Sequence, residues 1–191
     1  MSESTPEINV WDLPTRLFHW TLALLVAFQW ASAEIGGFLM DYHLLSGYAI
    51  LGLVLFRVVW GLIGSHHARF ANFLRGIEPT LAYARALRAN TAPRYLGHNP
   101  LGGWMVLALL GMLALQIATG LFASDDAITK GPLMHLVSEQ ISQILTLIHK
   151  GSFAVLMALV GLHVAAILAH RLFKGENLAR AMVTGYKEKD S

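Results

Sequence analysis

Nine histidines and no cysteine make up the soft-metal ligand inventory of this 191-residue chain, with seven methionines as weaker candidates. Three of the histidines, His149, His163 and His170, lie in one apolar run, LIHKGSFAVLMALVGLHVAAILAH at 147–170. A titratable ring in hydrocarbon is costly and marks a functional site by default. His149 and His163 are fourteen residues apart. At ~100° per residue, that interval returns within ~40° of the starting direction with a rise of ~21 Å, so the two rings share one helix face at two depths. His170 shares the face and approaches a polar end beside Arg171.

The elements that must carry these rings follow from composition. The chain is 55% hydrophobic and 14% charged, against about 25% charged in ordinary soluble domains. Four apolar segments, about 17–35, 43–64, 101–123 and 144–173, each approach or exceed the ~20 residues that cross a bilayer core. The expected fold is an all-α integral membrane protein, one domain over 1–191, built as a four-transmembrane-helix bundle. Ala31-Ser32-Ala33 resembles a signal-cleavage site, but the acidic leader and the His19-Trp20 pair favour a retained membrane helix.

Lys and Arg set the orientation. Eleven fall in the N-terminal segment, the 65–99 connection and the C-terminal end, against only Lys130 and Lys150 on the other side. Both termini and the 65–99 loop are expected in the cytoplasm. Within that loop, IEPTLAYARALRA reads either as a short interfacial helix opened near Pro79, with Leu81, Ala84 and Leu87 on one face, or as a solvated basic loop. The basic residues form no nucleic-acid recognition motif.

With that orientation, His19 enters at the level of His163, and His43 at the level of His149. Two histidine pairs result, one near each membrane surface, and each suits an iron clamped from both faces of a porphyrin. Without cysteine there is no disulfide, iron–sulfur cluster, thiolate zinc site or covalent haem attachment. A haem would be held by non-covalent contacts and axial side chains. Gly47, Gly52, Gly111, Gly120, Gly151 and Gly161 either admit the flat ring or serve close helix packing. Arg57 lies fourteen residues after His43 and so on its face, where it either pairs with a haem propionate or snorkels to the surface. Arg16 is a second candidate for the propionate. His66, His67, His98 and His135 read as surface or structural residues.

Several stretches resemble the bacterial cytochrome b561 family of di-haem membrane cytochromes, including the cytochrome b subunits of nickel–iron hydrogenases. They are RLFHW at 16–20, YHLLSGYAILGLVLFRVVWGLIGS at 42–65, ARF at 68–70, LGHNPLGGW at 96–104 and the two histidines of the fourth segment, ending GLHVAAILAH at 161–170. The resemblance implies two b-type haems with bis-histidine ligation, carried here onto His19, His43, His149 and His163. His170 is not usually a ligand in the family.

A bis-histidine haem has no open coordination position and favours one-electron transfer. The expected function is transmembrane electron transfer in a bacterial inner membrane, between the quinone pool and a periplasmic cytochrome c or oxidoreductase subunit. A quinone would dock near the cytoplasmic haem, by Arg16, His170 or the 65–99 connection. A superoxide:quinone oxidoreductase is a second reading. A basic periplasmic surface would favour it, but Asp41, Asp125, Asp126 and Glu139 oppose only Lys130 and Lys150. A third is a haem-free transporter or structural subunit with relay histidines. A homodimer stays open.

Overall fold

The computed structural model describes residues 7–124 and 129–188. Asp125, Asp126 and Lys189, used in the charge comparisons above, lie outside the described residues. The described chain is mostly helical, in the order β1 (Glu7–Asn9), α1 (Leu13–Ile35), α2 (Leu39–Ile63), α3 (Phe70–Phe73), α4 (Ile77–Arg88), α5 (Pro100–Gly120), a 3-10 turn (Met134–Leu136), α6 (Glu139–Lys174), α7 (Leu178–Thr184) and β2 (Tyr186–Glu188).

Polar caps extend the helices beyond the apolar runs. Asp12 Oδ1 accepts the Thr15 backbone N–H at 2.8 Å, so α1 starts at Leu13 rather than Leu17. Ser138 Oγ accepts from Ile141 N at 3.4 Å at the start of α6. Asn99 Oδ1 accepts from Gly102 N at 2.8 Å, with Pro100 as the first residue of α5, where a missing N–H costs nothing. Among the described residues three helices, α2, α5 and α6, are long and apolar enough to cross a membrane. α1 has the length, at 23 residues, but carries Arg16, His19, Gln29 and Glu34.

The chain divides into two compact units. One holds Trp20–Phe56 and Ala108–Gly161. Its buried centre is Ile50, Val54, Leu113 and Leu156, with Leu22, Leu25, Val26, Leu109, Met112, Ile117, Phe153 and Val160 packed around it. Segments of α1, α2, α5 and α6 therefore meet in one layer. Outward-facing residues are apolar as well: Leu24 is 72% exposed, Leu55 58% and Leu147 73%. An apolar exterior of this kind belongs in lipid, where helices satisfy their own backbone groups.

The other unit holds Met1–His19, Arg57–Leu107 and Leu162–Ser191. A small core of Val10, Trp11 and Ala181 joins the two ends of the chain. β1 pairs antiparallel with β2, with Ile8 opposite Lys187, an element absent from the expected all-α fold. Gly185 makes the join: it ends α7 at φ +91°, its carbonyl accepts from Val10 N at 2.8 Å, and a Cβ there would lie 2.7 Å from Trp11 O. The 65–99 connection contains the helix α4, which starts at Ile77, so Pro79 is its third residue and still within the first turn, where N–H groups are free. Tyr83 is its buried residue, while Leu81 is 51% exposed and does not share that side.

Candidate functional site: two histidine pairs

The first pair lies in the Trp20–Phe56 and Ala108–Gly161 unit. The His43 and His149 rings have centroids 6.4 Å apart and planes at 77°. Each is gripped by the helix beside its own. From α1, Ser32 Oγ lies 3.0 Å from His43 Nδ1, and Gln29 Nε2 donates to the His43 carbonyl at 2.9 Å. From α5, Thr119 Oγ1 lies 3.3 Å from His149 Nδ1, and Gln116 Nε2 donates to the His149 carbonyl at 3.0 Å. His149 Nδ1 also donates to Gln116 O at 3.0 Å. The His149 ring lies against Gly120, where a Cβ would come within 2.9 Å of Cε1.

The second pair lies in the other unit. The His19 and His163 rings have centroids 6.3 Å apart and planes at 52°. Arg57 accompanies them. It is 3% exposed and does not snorkel. Its Nη2 donates to Ala68 O at 3.1 Å, and its Cζ stands 4.6 Å over the Phe70 ring. Nη1 is buried with no hydrogen-bond partner among the described residues. Arg16 Nη2 donates to the Val183 carbonyl, and its buried Nε has no hydrogen-bond partner among the described residues.

His98 also belongs to this unit. Its ring is wedged 4.7 Å from Trp11 and 4.5 Å from Phe73. Burial pushes its pKa down to about 3, helped by the positive charge of Arg57 and Lys187 and by the His163 and His19 rings. Its position beside these groups was not readable from GHNP, because Trp11 and Phe73 come from distant parts of the sequence. Nearby, burial pushes the Asp12 carboxyl up, but Ser65, Thr15 and Trp60 as hydrogen-bonding neighbours outweigh it and leave its pKa below the usual value.

The remaining candidates lie elsewhere. His170 Nδ1 donates to Ala166 O at 2.9 Å, and its Nε2 is 3.4 Å from Asn99 Nδ2. His66 and His67 meet edge to face at 4.9 Å, and His135 is exposed in the 3-10 turn. Of the glycines, Gly47 abuts Gln29 Nε2 at 3.3 Å from a would-be Cβ, whereas a Cβ at Gly52, Gly111, Gly151 or Gly161 would meet nothing within 4 Å.

The donor set fits a haem. Among the described residues, no three or more metal-ligating side chains cluster, and what converges is imidazole in pairs. With a metal–imidazole bond of about 2 Å and a ring nitrogen about 1.1 Å from the ring centre, an ion between two rings needs centroids roughly 6.2 Å apart. Both pairs meet that requirement, at 6.3 and 6.4 Å. The unpartnered donors Arg57 Nη1 and Arg16 Nε are the groups a carboxylate-bearing cofactor would engage.

Sequence comparison agrees in kind. The prokaryotic cytochrome b561 profile matches residues 10–185. A probable Ni/Fe-hydrogenase B-type cytochrome subunit of Cupriavidus necator is 24% identical over 211 aligned positions, covering 93% of this chain and 86% of the relative. Its counterpart in Bradyrhizobium diazoefficiens is 21% identical, covering 96% and 87%. Another, from Azotobacter vinelandii, is 28% identical over 120 residues, and there the chain spans about half the length of the relative it matches. With a match over nearly its whole length, this chain belongs to the prokaryotic cytochrome b561 family, the membrane cytochromes of b type.

Proposed function

We propose that this chain transfers electrons across a bacterial inner membrane, between the quinone pool and a periplasmic redox partner, using two b-type haems. Four helices, α1 with the three apolar spans, form the membrane domain, and both chain ends lie in the cytoplasm. His19 and His163 hold the cytoplasmic haem, and His43 and His149 the periplasmic one.

The observation that carries this reading is the pair of near-equal ring separations, 6.3 and 6.4 Å, one in each unit. Haem b held by two imidazoles supplies one-electron chemistry with no open position for oxygen. The protein's own groups supply the rest. The four histidine imidazoles would hold the two groups. Arg57, buried and with Nη1 unpartnered, holds a propionate, and Arg16 is placed for the same task. Apolar side chains around Ile50, Val54, Leu113 and Leu156 keep water out. The relatives' names make an oxidoreductase assembly the partner class to test first.

The test is optical. Protein purified in detergent is expected to be red, to give a b-type reduced-minus-oxidised spectrum, and to be reduced by a quinol analogue. A colourless but helical, monodisperse preparation would overturn the haem reading. A red protein inert to quinols would overturn the quinone assignment alone.

A further inference from the structure

The grip on the first histidine pair is duplicated in sequence as well as in space. Gln29-Trp30-Ala31-Ser32 on α1 and Gln116-Ile117-Ala118-Thr119 on α5 are the two Q-x-A-(S/T) segments of the chain. In each, the glutamine amide donates to a histidine carbonyl, at 2.9 Å for His43 and 3.0 Å for His149. In each, the hydroxyl three residues on lies beside that histidine's Nδ1, at 3.0 and 3.3 Å.

Proton counting fixes the role at His149. The Gln116 carbonyl can only accept, so His149 Nδ1 carries the proton in the 3.0 Å contact with it. A hydroxyl has one proton to give. Thr119 Oγ1 gives it to Leu115 O at 2.7 Å, and Ser32 Oγ gives it to Gln29 O at 3.0 Å. Thr119 therefore faces His149 as an acceptor, and Ser32 faces His43 as one when His43 Nδ1 carries the proton, as Nε2 ligation of a metal requires. His149 then carries its proton on Nδ1, which leaves the Nε2 lone pair as the ligating atom, and the haem reading requires the same of His43.

We infer that the two Q-x-A-(S/T) segments are a duplicated clamp that fixes the tautomer and raises the basicity of the His43 and His149 rings, and so lowers the potential of the metal group between them. This rests on the haem reading above. Ser32, Thr119, Gln29 and Gln116 are positioning residues that act through the histidines. A histidine N–H given to an acceptor makes the ring a stronger donor, which favours the oxidised metal. The clamp is not equal on its two sides. His149 keeps the Gln116 carbonyl if Thr119 loses its hydroxyl. Among the described residues His43 has only Ser32 Oγ, which is fully buried, to accept from its Nδ1.

The experiment is a redox titration of the purified haem-loaded protein and its Ser32→Ala, Thr119→Val and Thr119→Ser variants, with haem content and circular dichroism. The His149→Ala variant identifies which haem is which. Ser32→Ala is expected to shift the oxidised-to-reduced equilibrium of the His43–His149 haem about tenfold toward reduced, ~59 mV for one electron. Thr119→Val is expected to shift it less, and Thr119→Ser to match the wild type. The other haem keeps its potential. Loss of the His43–His149 haem alone from helical Ser32→Ala protein also supports the clamp. Unchanged potentials in a two-haem Ser32→Ala protein would overturn the clamp and leave the haem reading standing. Equal shifts at both haems, or loss of both, would overturn it as well. A colourless wild type would overturn both readings.

Discussion

Gly120 and His149 are in contact such that a single Cβ at position 120 would lie 2.9 Å from His149 Cε1 and 3.2 Å from Nδ1. The same edge of the imidazole is held at Nδ1 by Thr119 and Gln116, so it cannot swing aside without losing hydrogen bonds. Gly120→Ala is therefore expected to cost about 1–3 kcal/mol, as for other overpacked interiors. In titration with added haem, its second equivalent should bind more weakly than in wild type. Unchanged stability and unchanged haem binding would show that the ring has room the structure denies it.

Arg57 gives a prediction of opposite sign to that for Ser32. A buried positive charge near a metal group opposes oxidation, which adds a further positive charge. Arg57→Met is expected to lower the potential of the His19–His163 haem and leave the other unmoved. Arg57→Lys keeps the charge and should retain most of the wild-type potential while losing the Ala68 contact. A rise in potential in Arg57→Met would reverse the assigned role.

His98 makes the unit that holds it acid-sensitive. Its pKa stands at about 3, against 6.5 for a free ring. Between those values the unfolded chain binds a proton that the folded chain does not. Stability is therefore full above the unfolded pKa and falls as the pH drops from 6.5 toward 3, by at most about 1.4 kcal/mol per pH unit for one proton. Thermal midpoints across that window should fall less steeply in His98→Phe than in wild type. Parallel slopes would exclude His98 as the source.

Much of the helical fold and the pairing of rings was legible in the sequence, because both depend on local regularities. Fourteen residues of helix return to one face, and apolar runs of ~20 residues announce membrane helices. The rings that level-matching pairs, His19 with His163 and His43 with His149, are the rings the structure brings together. What escaped depends on contacts far apart in sequence. β1 and β2 are three residues each and find one another across almost the whole chain. His98 reads as a turn residue until Trp11 and Phe73 close on it. Gln29 and Gln116 look like isolated polar residues in apolar helices, and their purpose appears only when the neighbouring histidine carbonyls are placed. Gly47 and Gly120 could be read as room for a cofactor, yet they accommodate Gln29 and the His149 ring.

The central claim is that each histidine pair holds its own haem. Haem per polypeptide, measured on purified His149→Ala and His163→Ala proteins, tests it most directly. The account expects two haems in wild type and one in each variant, with a different spectral component missing from each. Retention of both haems in either variant, or loss of the same component from both, would contradict it.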